Sequence, residues 1–425
     1  MKFKKKNFLT KIFNIFYFKI IALLELIIFL PTSVILIFIT RIFYRFKKIK
    51  FLPVNFSRIA NIYPLYWYKR VNYFIELDNK SLKLFFIENK FKHNKTWLKV
   101  WSQKTQFLPF PTIWKNFFYL SRFLPDHKKF EVTNYDVFMH NLYLSKKNQN
   151  KILKFKDKIK SISNFKINIL ELNNSEILKG REYINNFGTK EFNYICFHAR
   201  DPAYLKNYNK NIDWEYHNFR NSNIDNYLLA IKYLANKGHS CFRMGSKVEK
   251  KLVTDNPKII DYASSEFQSD FLDIYLGSKC LMAVYSESGI SIIPEVFNRP
   301  IVYVNWPALN FSCFNSNSLV IPKKFFSKKK NRFLFFSEIL ELNLESNFKT
   351  DYLKKNEIDL IENTPEEICD AVSENYDRIK GKWKNDEKAE KLQKRFWDIF
   401  NYHHIKSSTF TVGSDFLKEN QEFLQ

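Results

Sequence analysis

The sequence predicts an α/β protein of two domains, with an N-terminal hydrophobic anchor helix and C-terminal helices. Three observations lead to this prediction. The chain has 425 residues, more than one hydrophobic core usually organises. After residue 193, short apolar strands alternate with amphipathic helices, a pattern typical of a parallel sheet with helices on both faces. An apolar run covers residues 20–40, near the start of the chain.

The composition excludes some protein classes and leaves others open. Hydrophobic residues make up 45% of the chain, with 45 Phe and 23 Tyr, which excludes a disordered protein. The formal net charge of +25 favours anionic partners without choosing among lipids, nucleotide phosphates and nucleic acid. The cysteines form no C-x-x-C pair, which predicts a reducing compartment and no zinc site. They are Cys196, Cys241, Cys280, Cys313 and Cys369.

Residues 1–50 are predicted to form a membrane anchor with basic flanks. The run IIALLELIIFLPTSVILIFIT has about the length of a membrane-spanning helix, although Glu25 and Pro31 interrupt it. Basic residues precede and follow the run, so the positive-inside rule draws both ends to the cytoplasm. A re-entrant or interfacial helix bent at Pro31 satisfies both flanks, whereas a simple span must translocate one of them. The predicted location is the cytoplasmic face of the inner (plasma) membrane.

Two other interpretations of the apolar run are open. A signal peptide shares the basic start and the apolar stretch, but no small-x-small cleavage site follows, and the next segment is basic. A buried core helix also accommodates an apolar stretch that a glutamate interrupts.

Residues 51–190 are predicted to form the first, N-terminal α/β domain. Residues 82–88, LKLFFIE, have the pattern of a strand, and residues 94–106 have helical spacing. Residues 166–172, KINILEL, again have the pattern of an extended segment.

Residues 191–345 are predicted to form the second α/β domain, and residues 346–425 the C-terminal helices and tail. Strands are expected at 193–198, 240–244, 259–263, 281–286 and 300–306, with helices at 224–238, 270–278 and 289–298. Residues 322–332 form a basic stretch whose charges are expected to face an anionic membrane. A later helix is expected to begin after Thr364 as N-cap, with Pro365 in its first position.

Residues just past three of these strands are the candidates for chemistry, because ligands of parallel sheets gather at the carboxyl ends of the strands. They are His198, Arg200 and Asp201 after the first strand, Arg243 and Gly245 after the second, and Ser286, Glu287, Ser288 and Gly289 after the third.

This set of residues suits a negatively charged ligand. The small residues at the third strand end allow backbone N–H groups to face an anion, and the following helix adds a favourable dipole. Arg200 and Arg243 offer bidentate contacts that could replace a divalent metal. No D-x-D pair suited to a metal-held nucleotide stands out, so no metal and no cofactor are expected. We expect the Arg200 side chain to point into solvent when no ligand is bound.

Each candidate also has a purely structural interpretation. His198 can be a hydrogen-bonded structural histidine, and Arg200 and Asp201 can form ion pairs. Ser286 and Ser288 can cap a helix. The combination of residues across three strand ends favours the functional interpretation.

Several segments in order resemble a family of bacterial glycosyltransferases of the GT-B type, associated with surface polysaccharide assembly. They include HARDPAYL (198–205), FRNSNIDNYLLAIKYL (219–234), SDFLDIYLGSKC (269–280), SESGISIIPEVFNRPIVYVNW (286–306) and ENTPEEI (362–368). The resemblance covers roughly residues 58–404 and is strongest over 196–306. The H-x-R after the first strand is similar to the donor-diphosphate motif of fucosyltransferase-like GT-B enzymes, which implies that Arg200 binds phosphate.

The resemblance implies a GT-B-like fold, in which two Rossmann-like domains face a cleft. The first domain would hold a lipid-linked or polysaccharide acceptor and the second a nucleotide-sugar donor, with inverting, metal-independent transfer between them. The implied roles fall to the residues at the strand ends and to one further segment. The base candidates are Asp201, His198 and Glu287, in that order; the donor contacts are Arg200, Arg243, Gly245, Ser286, Ser288 and Gly289; the other substrate contacts are Arg220 and Asn221.

Two positions depart from the family pattern. The family's early R-I-G-H segment is similar to residues 58–61, which read R-I-A-N here and lack both the glycine and the histidine. Glu287 stands where the family usually has a small or amide residue. Both departures bear on which residue is the base.

Two functions from other classes stay open. A catalytically inactive GT-B-like scaffold could bind a glycan or a partner enzyme at the membrane, because a fold does not guarantee chemistry. A nucleic-acid-binding protein fits the net charge but not the residue pattern, since no aromatic RNA-binding signature or basic helix occurs. Nucleic acid is therefore not expected as a partner.

Overall fold

The computed structural model describes residues 24, 27–66, 68–69, 81–88, 94–131, 169–307, 309, 317–344, 350–384, 386–400 and 410–425. Within these residues the protein is a mixed α/β fold with a seven-stranded sheet, all of whose pairings are parallel. A two-stranded parallel sheet lies in the first half of the chain, and a three-stranded antiparallel sheet in the second.

The strands are numbered in chain order. The two-stranded sheet contains β1 (Ile49–Val54) and β2 (Leu82–Ile87). The seven-stranded sheet contains β3 (Tyr194–His198), β4 (Ser240–Arg243), β5 (Ile259–Ile260), β6 (Met282–Tyr285), β7 (Ile301–Trp306), β8 (Leu319–Pro322) and β12 (Thr411–Val412). The antiparallel sheet contains β9 (Lys324–Ser327), β10 (Arg332–Phe333) and β11 (Ile358–Ile361).

The α-helices are numbered in the same way. They are α1 (Ile27–Tyr44), α2 (Lys95–Lys104), α3 (Pro111–Ser121), α4 (Asn174–Asn185), α5 (Ala203–Tyr208), α6 (Leu228–Asn236), α7 (Asp270–Lys279), α8 (Ile292–Val296), α9 (Phe336–Glu341), α10 (Thr350–Lys355), α11 (Pro365–Ile379), α12 (Glu387–Ile399) and α13 (Ser414–Glu419). Short 3₁₀ turns include Ile59–Ile62, Glu215–Arg220, Ile224–Tyr227, Tyr262–Ser264 and Gly289–Ser291.

The order of the strands in the large sheet reverses at β3. The order is β12-β8-β7-β6-β3-β4-β5, so the chain moves outward from β3 to β4 and β5 and then returns to place β6 on the other side of β3. Such a reversal opens a crevice at the carboxyl ends of the two strands, where open α/β sheets bind ligands. β3 and β6 are that pair here, with His198 in register with Tyr285.

Most of the predicted elements of the second half are confirmed. β3, β4, β6 and β7 lie within one or two residues of their predicted bounds. Their residues are buried on both faces of the sheet, which is why each of them is a nearly continuous apolar run. In the first half β2 and α2 are also confirmed. Thr364 caps α11 and forms a capping box with Glu367, as its position before Pro365 predicts.

Three expectations were wrong in detail. The strand expected at 259–263 ends at Ile260, because the chain turns into the 3₁₀ helix Tyr262–Ser264. The helix expected after Gly289 begins as a 3₁₀ turn and continues as only five α-helical residues in α8. Residues 169–172 are not a strand, and the rest of the extended segment expected at 166–172 lies outside the described residues.

The basic stretch 322–332 is not a loop that presents free charges. It forms β8 to β10, and four of its cations pair with carboxylates: Lys324 with Glu367, Lys328 with Asp359, and both Lys330 and Arg332 with Glu338. Lys323 is buried. Since its charges are largely neutralised within the fold, this stretch is a weaker candidate for a membrane-facing surface than the sequence indicated.

One continuous buried core extends across the predicted domains. It includes Leu52 and Trp101 from the first half, the strands of the large sheet, and Leu424 near the end of the chain. From the predicted tail, β12 pairs with β8 and β11 pairs with β9. A smaller second cluster joins Phe51, Phe86, Phe117 and Phe118 to the N-terminal helix. The predicted domain boundaries stay a prediction.

Helix α1 is long and apolar enough to cross a membrane, judged by length and composition alone. Its mean hydropathy is 2.1, and 17% of it is buried within the protein. The residues on both sides of Pro31 are helical. The proline therefore does not interrupt the helix. Glu25 lies outside the described residues.

The turn before α11 offers a test of what fixes the end of β7. The backbone N–H groups of Asn305 and Asn363 each donate to the other's side-chain oxygen at 2.6 Å, and Asn363 also donates to the Pro322 carbonyl at 2.9 Å. We predict that Asn363→Ala lowers the free energy of unfolding by at least about 2 kcal/mol. The substitution leaves the buried Asn305 N–H and the Pro322 carbonyl without their hydrogen-bond partner. Thr364→Ala should cost only about 1 kcal/mol for a lost cap. Denaturant unfolding of both variants checks this, and equal losses would contradict it.

Candidate functional site

A cavity of about 240 Å³ lies at the carboxyl ends of β3, β4 and β6. Six predicted site residues from these strand ends line it, together with Arg220. The six are His198, Arg200, Asp201, Gly245, Ser288 and Gly289. Arg58, Ile59 and Ala60 line the cavity from the first half of the chain. The cavity therefore lies at the reversal of strand order and between two distant parts of the sequence.

His198 is held as one defined tautomer. Its Nδ1 lies 2.8 Å from the carbonyl oxygen of Met244. Because a carbonyl oxygen only accepts, Nδ1 carries the proton and Nε2 keeps a free lone pair. Burial lowers the pKa of His198 to about 4, against the opposing effects of the Met244 hydrogen bond and Asp201. At neutral pH the ring is therefore uncharged and offers a hydrogen-bond acceptor to the cavity.

Arg200 is buried, which corrects the expectation that its side chain points into solvent. The residue is 7% exposed, and its Nη1 donates to the side-chain oxygen of Asn221 and, at 3.2 Å, to the carbonyl oxygen of His217. Burial lowers the pKa of Arg200 to about 10, and the nearby Arg220 adds to this effect. Both hydrogen-bond acceptors are uncharged, so they orient the guanidinium without neutralising it.

Asp201 is a poor candidate for the base, although it was predicted first. Its Oδ1 accepts from the Ala203 N–H at 2.9 Å, and its Oδ2 accepts from the Glu249 N–H at 3.1 Å. These bonds engage both carboxylate oxygens and fix the loop that leaves β3. The order of the candidates changes accordingly, with His198 ahead of Asp201.

Glu287 lies behind the cavity rather than among the residues that line it. Its Oε1 is 3.3 Å from Nε of Arg220, with both side chains mostly buried. The ion pair holds Arg220 at the cavity wall. Glu287 is therefore better described as a partner that positions Arg220 than as a base.

Asn221 is a structural link to Arg200, not a residue of the cavity wall. Its side-chain oxygen accepts from Arg200, and its backbone carbonyl accepts from the Nζ of Lys323 at 2.6 Å. Lys323 is 4% exposed, and burial lowers the pKa of its ammonium to about 8. Nothing in the residue pattern around Lys323 indicated that this lysine contacts Asn221.

The two serines of the third strand end have different roles. Ser288 is at the N-cap position of the 3₁₀ turn Gly289–Ser291, but its side chain makes no capping hydrogen bond. Ser286 is fully buried, and its Oγ accepts from the backbone N–H of Arg200 at 2.8 Å. Ser288 lines the cavity, and its buried Oγ has no hydrogen-bond partner among the described residues. The hydroxyl of Ser288 is therefore available to a ligand, whereas that of Ser286 is committed to the fold.

Both predicted glycines lie where the chain approaches a neighbouring segment closely. Gly245 has φ +148°, and a Cβ there would lie 3.2 Å from Cγ1 of Val248. A Cβ on Gly289 would lie 3.1 Å from the Cβ of Ala60. This second contact is where the segment 58–60 meets the turn after β6. The helix that follows is too short to contribute the full dipole that the sequence analysis assumed.

Arg243 does not line the cavity, which corrects its assignment as a donor contact. Its side chain is 2% exposed, and Nη1 donates to the Lys250 carbonyl at 2.8 Å and lies 3.5 Å from Oδ1 of Asp261. Arg243 is in register with Phe197, one residue before His198. Successive residues of a strand point to opposite faces, so Arg243 and His198 lie on opposite faces of the sheet.

Three arginines approach one another at the cavity. Arg58, Arg200 and Arg220 all line it. Burial lowers the pKa of His217, another lining residue, to about 4, and all three arginines reinforce that effect. Arg58 stacks over the ring of Tyr208 at 5.7 Å and forms no ion pair among the described residues. Of the three, Arg220 alone has a carboxylate in ion-pair contact within the described part of the chain.

Asp273 is a lining residue that the sequence analysis missed. It lies on α7, is 3% exposed, and accepts hydrogen bonds from the Tyr262 hydroxyl at 3.0 Å and from Gln268 at 3.2 Å. Burial raises the pKa of Asp273 to about 7. An acidic residue one turn into an apolar helix is a weak sequence signal, and it could have suggested this position. His217 lies in the 3₁₀ turn Glu215–Arg220, and no sequence pattern indicated its position.

A second cavity of about 390 Å³ is larger but lies at the wrong end of the sheet for a parallel α/β site. Phe192, Ser278 and Lys279 line it, and these residues precede β3 and β6 rather than follow them. Ligands of such sheets bind at the opposite, carboxyl edge.

The described residues contain no group of three His, Cys, Asp or Glu side chains arranged to hold a metal ion. No protein-family model matches the chain, and no curated protein matches its sequence. The family resemblance of the sequence therefore stays an expectation, and the geometry of the site is the basis for a functional proposal.

The protonation of His198 predicts a pH-dependent stability. The unfolded chain takes up a proton near pH 6.5, whereas the folded protein takes it up at about pH 4. Stability supplied by neutral His198 is therefore lost as the pH falls from 6.5 to 4, by up to about 1.4 kcal/mol per pH unit. We predict that the stability advantage of the wild type over His198→Asn shrinks across this window in chemical unfolding experiments. A difference that is independent of pH would contradict the assigned tautomer and burial.

Proposed function

We propose that the protein is a glycosyltransferase that binds the diphosphate of a nucleotide-sugar in the cavity at the carboxyl ends of β3, β4 and β6. The transfer goes to a hydroxyl of a lipid-linked or polysaccharide acceptor. The observation that supports this most directly is the convergence of Arg58, Arg200 and Arg220 on one small cavity at the reversal of strand order.

The charges at the cavity favour a doubly charged anion. Arg200 is oriented by uncharged acceptors, and Arg58 has no carboxylate in ion-pair contact among the described residues. Guanidinium groups bind phosphate oxygens through paired N–H donors, which suits a diphosphate. The unpartnered hydroxyl of Ser288 supplies one more donor. The volume of about 240 Å³ is below the roughly 300–1,000 Å³ of complete ligand pockets. It suits the diphosphate, with the nucleoside and the sugar extending outside.

His198 is the base that the geometry favours. In the proposed reaction an acceptor hydroxyl oxygen forms a bond to the anomeric carbon, and the bond from that carbon to the diphosphate oxygen breaks. The hydroxyl proton passes to Nε2 of His198, and the arginines hold the charge that develops on the departing diphosphate. A pKa of about 4 makes His198 a weak base in the free protein. A bound anion beside it would raise that pKa.

A GT-B-like arrangement is part of the proposal. Residues 58–60 bring the first half of the chain to the same cavity as the strand ends of the second half, as expected where an acceptor domain meets a donor domain. The exposed apolar surface of α1 supports attachment to the inner face of the plasma membrane. A lipid-linked acceptor would be available there.

A second function, an inactive GT-B-like binding scaffold, has one observation in its favour. Asn61, which stands where the resembled family has a histidine, donates to Asn55 and Ser57 and does not line the cavity. If that histidine is essential for transfer, the chain would bind a donor without using it. Release of nucleoside diphosphate from a nucleotide-sugar by the purified protein separates the two functions, since only the enzyme releases it.

Arg58 provides the cleanest test of the anion site, because within the described residues its guanidinium contacts only the ring of Tyr208 and forms no ion pair. We predict that Arg58→Ala weakens binding of nucleoside diphosphate by about 10-fold to 100-fold, the loss expected for hydrogen bonds to a charged group. Its melting temperature should match that of the wild type. Calorimetry with UDP, GDP, CDP and dTDP, at constant moderate salt, measures this.

The matched control is Arg181→Ala. Arg181 is a surface arginine paired with Glu191, and it does not line the cavity. The Arg181→Ala variant loses one positive charge, as Arg58→Ala does. If its affinity for nucleoside diphosphate is unchanged, a general effect of net charge is excluded. Equal affinity losses in the two variants would mean that the nucleotide binds the basic surface without a specific site.

The assignment of the base is tested by comparing His198→Asn with Asp201→Asn. Asparagine at 198 keeps a donor for the Met244 carbonyl but removes the acceptor nitrogen, so we predict a loss in kcat of about 10²-fold to 10⁴-fold. Asp201→Asn should act mainly through the loop, with a lower melting temperature and a smaller change in kcat. The opposite ranking in kcat would return Asp201 to the role of base.

A further inference from the structure

Helix α1 is apolar over most of its surface, but the described part of the protein covers only one of its faces. The covered stripe contains Ser33, Ile37 and Thr40, which are buried. The opposite stripe contains Ile28, Ile35, Phe38 and Ile42, which are 65%, 58%, 65% and 59% exposed. Both stripes follow the helical spacing of three, four and seven residues. An apolar face of this length needs an apolar partner.

Contacts along α1 show that it lies on the surface of the first half of the chain. The Ser33 hydroxyl donates to the carbonyl oxygen of Ile113 at 3.3 Å. Arg41 forms an ion pair with Asp126 at 2.7 Å and stacks over the ring of Phe130 at 4.9 Å. Ser33 and Arg41 are about 12 Å apart along the helix axis. The helix is therefore docked lengthwise on α3 and the segment that follows it.

This docking is incompatible with α1 crossing a bilayer at right angles to its plane. A spanning helix needs about 20 residues within roughly 30 Å of hydrocarbon, so all 18 residues of Ile27–Tyr44 would have to lie within the bilayer. The docked partner would then enter the hydrocarbon as well, with Lys115, Arg122 and Asp126 on it. Charged side chains at that depth are costly. A helix in the plane of the interface places only its exposed stripe in lipid.

The charges next to the exposed stripe indicate which lipid surface it meets. Arg45, Lys47 and Lys48 follow the helix and are all exposed. A cationic cluster beside an apolar face is the pattern of interfacial helices on anionic leaflets. The first half also has two largely exposed phenylalanines at the two ends of α3, Phe110 at 71% and Phe123 at 85%.

We propose that α1 lies in the plane of an anionic membrane surface, with its Ile28, Ile35 and Ile42 stripe in the lipid interface and its Ser33 and Ile37 stripe on the protein. This rests on the membrane attachment within the proposed function and specifies its geometry. It does not depend on glycosyl transfer, since binding of nucleoside diphosphate is measured separately.

The test is a depth measurement along the exposed stripe in the full-length chain. Single cysteines Ile28→Cys, Ile35→Cys and Ile42→Cys are introduced with Cys313 and Cys369 replaced by serine, since Cys196, Cys241 and Cys280 are buried. Each is labelled with a fluorophore in vesicles of phosphatidylcholine and phosphatidylglycerol, and lipids spin-labelled at several depths quench it. The proposal predicts one shallow depth for all three labels. A spanning helix predicts depths spread over about 21 Å, since these positions are 14 residues apart.

A second pair of variants keeps the proposal testable if the labels disturb binding. The double variant Ile35→Glu/Ile42→Glu should lose at least 10-fold in partitioning to these vesicles while its melting temperature is unchanged. The control, Val253→Glu, changes an 87% exposed residue of the second half and should partition as the wild type does. Graded label depths, quenching of no label, or unchanged partitioning of the double variant would each overturn the proposal.

Discussion

The site depends on the reversal of strand order between β3 and β6. The connections that leave these two neighbouring parallel strands run to opposite sides of the sheet. No connection therefore covers both carboxyl ends, and a crevice is left between them. Two hydrogen bonds keep the exits of the strands together. The Ser286 N–H donates to the His198 carbonyl at 3.1 Å, and the Arg200 N–H donates to the Ser286 hydroxyl at 2.8 Å. They fix where His198 and Arg200 leave the sheet.

The electrostatic character of the crevice follows from how its cations are held. A buried guanidinium usually has a carboxylate partner, because an unpaired buried charge is costly. Arg200 is held by Asn221 and the His217 carbonyl instead. Both contacts are made by Nη1, and they orient the guanidinium without neutralising its charge. Arg220 is partly neutralised by Glu287, which reduces the repulsion among the three arginines when no ligand is bound. An anion that binds here gains from charge that the fold has left uncompensated.

Much of the fold, and part of the site, was predictable from the sequence. The strands β3, β4, β6 and β7 are short, largely apolar runs. Since the residues after parallel strands lie at one edge of the sheet, the sequence predicted His198, Arg200, Gly245 and Ser288 there. The direction of the Arg243 side chain was missed because it depends on register with Phe197, which a single sequence does not reveal. The bonds of Asp201 to the loop N–H groups were not predictable, because they arise only from the folded turn. Arg58 was not selected because it is about 140 residues before His198 in the sequence, and only tertiary packing places both at the cavity.

The most direct test of the account is a structure of the full-length protein with the nucleoside diphosphate that binds it best. The account predicts phosphate oxygens in the cavity at the carboxyl ends of β3 and β6, within hydrogen-bond distance of Arg58, Arg200 and the Ser288 hydroxyl, about 2.7 to 3.1 Å. A nucleotide bound instead at the cavity beside Phe192 and Lys279, or held only by surface lysines, would contradict it.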